Sequence, residues 1–153
     1  MAQLDKMPEN ERSHLLCLPC PTFESTPWVT GPPLNKRRLA LISTAGLKRR
    51  SDLPFDLGAS DSRVIPSGTP AVELIMSHIS TNFDRTGFQQ DLNVVFPIDR
   101  LNELVEGDVI GSLATYHYSF MGATDPAQLE GPARELARIM KNDGVDAVLL
   151  VPV

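Results

Sequence analysis

The chain has 153 residues, of which 42% are hydrophobic and 22% charged, a globular composition of a length that fits one core. A formal charge of −5 gives no uniform field to attract phosphates, which argues against nucleic acid or an anionic membrane surface as a partner. No apolar run approaches the roughly 18 residues that span a bilayer, and the N-terminus is polar and acidic, so a cytoplasmic location is expected.

Residues 1–36 hold six of the 13 prolines (Pro8, Pro19, Pro21, Pro27, Pro32 and Pro33). Such density opposes a long helix after Ser13 and predicts an extended arm over 1–36, with Phe23 and Trp28 as anchors on the domain that follows, 37–153. Cys17 and Cys20, in a C-x-x-C spacing on this arm, read as incidental thiols rather than a redox pair. The basic cluster Lys36-Arg37-Arg38 reads as a solvated edge.

From Leu39 to Thr44 the sequence is continuously apolar and then reaches Ala45-Gly46, as a buried parallel strand does before its loop. Residues 47–70, rich in Ser, Asp, Gly and Pro, predict an irregular crossover, and Val72–Ser77 a second strand. A short strand is expected at Asn93–Phe96. Pro97, with Ile98, Leu101, Leu104 and Val105 at helical spacing and Gly107 as a stop, predicts a short amphipathic helix. The last helix begins near Asp125-Pro126 or restarts at Pro132, burying Ala133, Leu136, Ala137, Ile139 and Met140. Asn142-Asp143-Gly144 ends it, and Asp146–Val151 is a second buried strand. The expected fold is therefore α/β, a Rossmann-like, mostly parallel sheet with flanking helices behind a proline-rich arm.

In such sheets ligands bind beyond the carboxyl ends of the strands. Three segments qualify: Ser43-Thr44-Ala45-Gly46, whose hydroxyls could hold a carboxylate or simply close a strand; Ser77-His78-Ile79-Ser80 with Asn82, Asp84 and Arg85; and Gly111–Gly122, half of it core. His117, between Tyr116 and Tyr118, is the best general-acid candidate. His78 and Asp84 supply two metal-binding groups at most, which makes no site, and a satisfied structural histidine is the simpler account. No dinucleotide fingerprint, Walker A loop, nucleophile elbow or complete metal-ligand array is present.

Several phrases carry a family likeness: Leu18-Pro19-Cys20-Pro21, Leu41-Ile42-Ser43-Thr44-Ala45-Gly46, Asn93-Val94-Val95-Phe96-Pro97-Ile98-Asp99-Arg100-Leu101, His117-Tyr118-Ser119-Phe120-Met121-Gly122 and Asp143-Gly144-Val145-Asp146-Ala147-Val148. In this order they resemble the selenoprotein B family of glycine, betaine, sarcosine and D-proline reductases, from about residue 18 onward. The resemblance implies reductive cleavage of a carbon–nitrogen bond in a small amino acid or amine by a selenolate, with a pyruvoyl group on a partner subunit and a thioredoxin-like reductant. It places the redox selenocysteine or cysteine just after the strand at Asp146–Val151, so it is expected beyond Val153, where a selenocysteine codon read as a stop would end the chain. The 153-residue form is then expected to be inactive alone and to leave apolar sheet surface bare. His117, His78 and Asp84 are the expected catalytic residues, with His117 moving the proton and Asp84 orienting His78. Thr44 and Ser119 are the expected substrate-binding pair. No cofactor or metal is expected within the chain, whereas an oligomer or a partner reductase subunit is. The rival reading is a non-catalytic binding or assembly subunit of the same fold.

Overall fold

The computed structural model describes residues 4–17, 19, 22, 24, 28–80 and 85–153. Its elements in chain order are α1 (Glu9–Leu16), β1 (Arg38–Ser43), β2 (Leu47–Arg49), β3 (Arg63–Pro66), β4 (Leu74–Met76), α2 (Thr86–Gln90), α3 (Ile98–Glu106), β5 (Ser112–Leu113), β6 (Tyr116–Ser119), α4 (Pro126–Asn142) and β7 (Ala147–Val151).

Strand β1 is the centre of the main sheet. Its alternation sends Leu39 and Leu41 to one face and Ala40 and Ile42 to the other, which explains why both faces had to be apolar. On one side it pairs in parallel with β7, from Leu39↔Ala147 to Ser43↔Val151. On the other it pairs in parallel first with β5 (Leu39↔Leu113) and then with β6 (Ile42↔Tyr118). Strand β3 adds antiparallel to β6. The sheet is therefore mixed and curled, and a separate antiparallel pair, β2 with β4, stands beside it. The Rossmann-like, mostly parallel arrangement expected above gives way to this mixed one, because β3, from the polar stretch 47–76, adds antiparallel to the distant β6, and β2 pairs antiparallel with β4.

Between Leu39 and Ile42 β1 advances three residues, whereas Leu113 to Tyr118 advances five, so two extra residues bulge from the partner strand. The main-chain N–H of Leu41 is left facing the bulge and donates to Nδ1 of His117 at 3.0 Å. A buried N–H without an acceptor is costly, and the imidazole supplies one.

One face of the sheet packs Leu39, Leu41, Ile65, Ala147, Leu149 and Val151 against Leu47, Leu74, Phe96 and the buried side of α3. The other packs Ala40, Ile42 and Tyr118 against Leu136 and Met140 of α4. Helix α3 follows Pro97 and stops at Gly107 as its spacing predicts, burying Ile98 and Leu101. Asp125 caps α4 by accepting from the Ala127 N–H at 2.9 Å, and the helix runs unbroken through Pro132. Of the two starts considered for this helix, the earlier is found. The N-terminal end of β1 is tied down by Arg38, whose guanidinium donates to Asp143 Oδ1 and O, Leu113 O and Thr115 Oγ1.

Other expectations change. The strand at Val72–Ser77 contracts to Leu74–Met76 behind a 3-10 turn, and Asn93–Phe96 contains a 3-10 turn over Leu92–Val94 instead of a strand, closed by Asp91 Oδ1 accepting from the Asn93 N–H. Residues 47–70 contain β2 and β3 rather than irregular chain alone. The extended arm is interrupted by α1, which runs past Ser13 because Pro8 lies before it and no proline follows until Pro19. Trp28 anchors nothing among the described residues, being 88% exposed, and Phe23 lies outside them. Strand β7 is half covered, not fully buried: Val148 and Leu150 point to the α4 side beyond the reach of that helix, leaving Leu150 67% exposed.

Candidate active site

The carboxyl ends of β1 and β7 lie side by side because the strands are parallel and in register. Thr44, the first residue past β1, uses its hydroxyl twice: Oγ1 accepts from the Val153 N–H at 2.8 Å and donates to the Val153 carbonyl at 3.3 Å. Its main-chain N–H donates to Val151 O at 3.1 Å, and its carbonyl accepts from the Gly122 N–H at 2.9 Å. The chain leaving β6 thus meets the exits of β1 and β7 at one point.

Gly122 is required there. A Cβ on it would sit 2.6 Å from Val153 O, 2.8 Å from Thr44 O and 3.1 Å from Nε2 of His78. Gly46, with φ at +63°, turns the chain after β1 so tightly that its α-carbon backs onto the main chain of His78. Two glycines therefore bring His78 to the strand exit.

His78 is 5% exposed. Nδ1 accepts from the Ser80 N–H at 3.1 Å, so the neutral ring carries its proton on Nε2, the atom facing Gly122. The Arg85 guanidinium donates to the carbonyls of His78 (2.7 Å) and Ser80. Burial, with a smaller contribution from that cation, lowers the His78 pKa and keeps the imidazole uncharged near neutrality.

The other expected site residues lie elsewhere. His117 is wholly buried in mid-strand under Leu41, edge-on to the Phe96 ring with centroids 6.1 Å apart. Burial, reinforced by Arg38, drives its pKa down to about 4. Ser119 is also wholly buried, and its hydroxyl accepts from the Leu47 N–H at 2.8 Å. Thr44, His78 and the Val153 backbone are brought together; His117 and Ser119 are not part of that group, since alternation along β6 turns them into the core. Asp84 and Asn82 fall outside the described residues, as does Cys20, and Cys17 is an exposed thiol at the end of α1. Sequence reasoning had Gly46 and Gly122 within its candidate segments but gave neither a role. The signal was their place immediately after the apolar runs ending at Ala45 and Met121, where a chain that must turn or approach closely needs glycine.

An α/β domain with a polar cluster at the exits of two adjacent parallel strands is the class that fold and site define. Residues 72–153, just over half of the chain, match the glycine/sarcosine/betaine reductase selenoprotein B family. The chain belongs to that family. It is 34% identical over 120 residues to the D-proline reductase subunit gamma of Acetoanaerobium sticklandii, covering 76% of this chain and 49% of the relative. It is 31% identical over 140 residues to the glycine reductase complex component B subunit gamma of Symbiobacterium thermophilum, covering 86% and 32%. To the betaine reductase complex component B subunit beta of Peptoclostridium acidaminophilum it is 27% identical over 122 residues, covering 76% and 28%. The chain thus spans about half the length of the first relative and about a third of the other two. No solved structure matches it. No helix among the described residues is long and apolar enough to cross a membrane.

Proposed function

We propose that the chain is part of a reductase subunit that cleaves a carbon–nitrogen bond in a small amino acid or amine, with a dithiol as electron donor. In the overall change the carbon–nitrogen bond breaks, the nitrogen leaves with a proton and the carbon gains a hydrogen. The two electrons come from the dithiol, which becomes a disulfide. The observation that carries this reading is the convergence of Thr44, Gly122 and the His78 Nε2–H on the exit of β7, where a chain continuing past this strand would present its nucleophile. A selenolate or thiolate there would supply the attacking electron pair.

The residues of this chain do the rest. The Thr44 hydroxyl fixes the direction of the exit, and the neutral His78 donates a hydrogen bond from Nε2 to negative charge developing there, as an uncharged imidazole with a depressed pKa can. Asp84, six residues on, is assigned the orientation of His78. His117 and Ser119 act at a distance by holding the main chain of Leu41 and Leu47, and so the ends of β1 and β2. A pyruvoyl-bearing partner subunit and a thioredoxin-like protein fit the same scheme, in keeping with relatives named as subunits of reductase complexes.

The test is reductive cleavage of glycine, sarcosine, betaine or D-proline by the full assembled complex with dithiothreitol as reductant. One of the four is expected to be cleaved, and His78→Gln to lower kcat about 100-fold with KM little changed. An assembled complex that cleaves none of them, or a His78→Gln form of full activity, overturns the proposal. A second reading, an assembly subunit without chemistry, draws on the exposed apolar side chains of Val148 and Leu150. It predicts that Leu150→Lys dissociates the complex while His78→Gln changes nothing.

A further inference from the structure

Away from the strand exits, a groove of about 470 Å³ runs between β3 and α4, in the size range of small-molecule sites. Val64, Leu136 and Ile139 give it apolar walls, and the rings of Tyr116 and Tyr118 its floor, because residues two apart on β6 face the same way. Tyr118 is the telling residue. It is only 2% exposed, it lines the groove, and its hydroxyl has no hydrogen-bond partner among the described residues. The oxygen itself is not sealed, and the groove is what opens it to solvent or a ligand.

The ionisable residues other than tyrosine that line the groove are both acidic, Asp61 and Glu135. Each is ion-paired, Asp61 with Arg63 and Glu135 with Arg138, but neither arginine is among the residues that line the groove. Burial, together with Asp143 and Tyr116 nearby, holds the Tyr118 phenol above its ordinary pKa, so it stays a neutral hydroxyl in a negative field. Arg38 offsets part of that field where it pairs with Asp143 at 3.0 Å.

We propose that this groove binds a small organic cation with an apolar body, its ammonium head placed between the two tyrosine rings and the Asp61 and Glu135 carboxylates. Aromatic faces and carboxylates together attract such a head, and the unpartnered Tyr118 oxygen accepts one of its N–H groups. The inference does not rest on the reductase reading, since the groove is lined by neither Thr44, Gly122, His78 nor Val153.

The probes are benzylammonium and benzyltrimethylammonium, with benzoate and benzyl alcohol as controls, titrated into the isotope-labelled full chain by NMR. Both cations should give saturable shifts at Val64, Tyr116, Tyr118 and Ile139, and the controls should bind at least tenfold more weakly. Tyr118→Phe should weaken benzylammonium about threefold to tenfold and leave benzyltrimethylammonium, which has no N–H, unchanged. Glu135→Gln, on the exposed side of α4, should weaken both cations and tests the site even if the tyrosine variant does not fold. Benzoate binding as tightly as the cations, saturable shifts confined to residues outside the groove, or no response to Glu135→Gln would each overturn the proposal.

Discussion

At the level of single residues, the two described histidines of the candidate region show how the same side chain is put to different uses by its surroundings. His78 reaches the strand exit with Nε2 turned toward Gly122, whereas His117 replaces a missing main-chain acceptor in the centre of the sheet. The latter has a measurable consequence. Its pKa falls from an ordinary 6.5 to about 4 because burial favours the uncharged ring. A folded-state pKa below the unfolded one means stability that is complete above about pH 6.5 and is lost as pH falls toward 4, with a full extent of about 3 kcal/mol. Denaturant titrations from pH 7 to pH 4 should show this loss. His117→Asn, whose amide oxygen can still accept from the Leu41 N–H, should remove most of the pH dependence. His117→Leu should instead destabilise the fold at neutral pH by about 1–3 kcal/mol, the cost of a buried unpaired N–H. Equal acid sensitivity in wild type and His117→Asn would refute the assignment.

Among the elements, the join of β1, β6 and β7 has least room for change. Gly122→Ala puts a methyl group within 2.8 Å of two main-chain oxygens, neither of which can swing away as a flexible side chain would. The strand ends must separate, so the variant should lose more than about 2 kcal/mol by denaturant unfolding. Faster hydrogen exchange should be concentrated at Thr44, Gly122 and Val153, whose N–H groups close this join. An alanine variant with unchanged stability and exchange would show that the strands are further apart than described. Gly131 is a different case: it has open space around it beyond its chain neighbours, but it precedes Pro132 within the helix, where a Cβ would meet the proline ring, so alanine there should forfeit the gain of up to about 1 kcal/mol expected at an ordinary helical site.

Over the whole molecule, stability is concentrated in residues 38–153. Among the described residues helix α1 buries no residue, and its side-chain bonds join Glu9 only to Arg12 and Ser13, all on the same helix. Deleting residues 1–16 should therefore shift Tm by less than about 2 °C, measured by calorimetry. A larger drop would mean that the helix packs on the domain.

Local pattern was enough to place β1, α3, α4 and β7, because each declares itself through a run of apolar residues, helical spacing, or a proline and glycine at its ends, but not to fix the buried face of α4, where Leu136 and Met140 are buried and Ala133, Ala137 and Ile139 are exposed. The same information placed Thr44 at a strand exit. Pairing partners were beyond it. Arg63–Pro66 and Tyr116–Ser119 are short and carry polar residues, and they become strands only by pairing with distant segments, the first with the second and the second also with β1. The two-residue bulge that turns His117 inward, and the close approach that brings His78 to Gly122, arise from register and from the path of the chain in space. Composition and periodicity thus determined the α/β character and the central strand, and the particular phrases around Phe96-Pro97 and His117–Gly122 carried the family likeness, since all of these depend on residues near one another in sequence. Tertiary structure alone decided that the sheet is mixed, which histidine stands at the strand exit and which is sealed in the core, because each depends on contacts between distant segments.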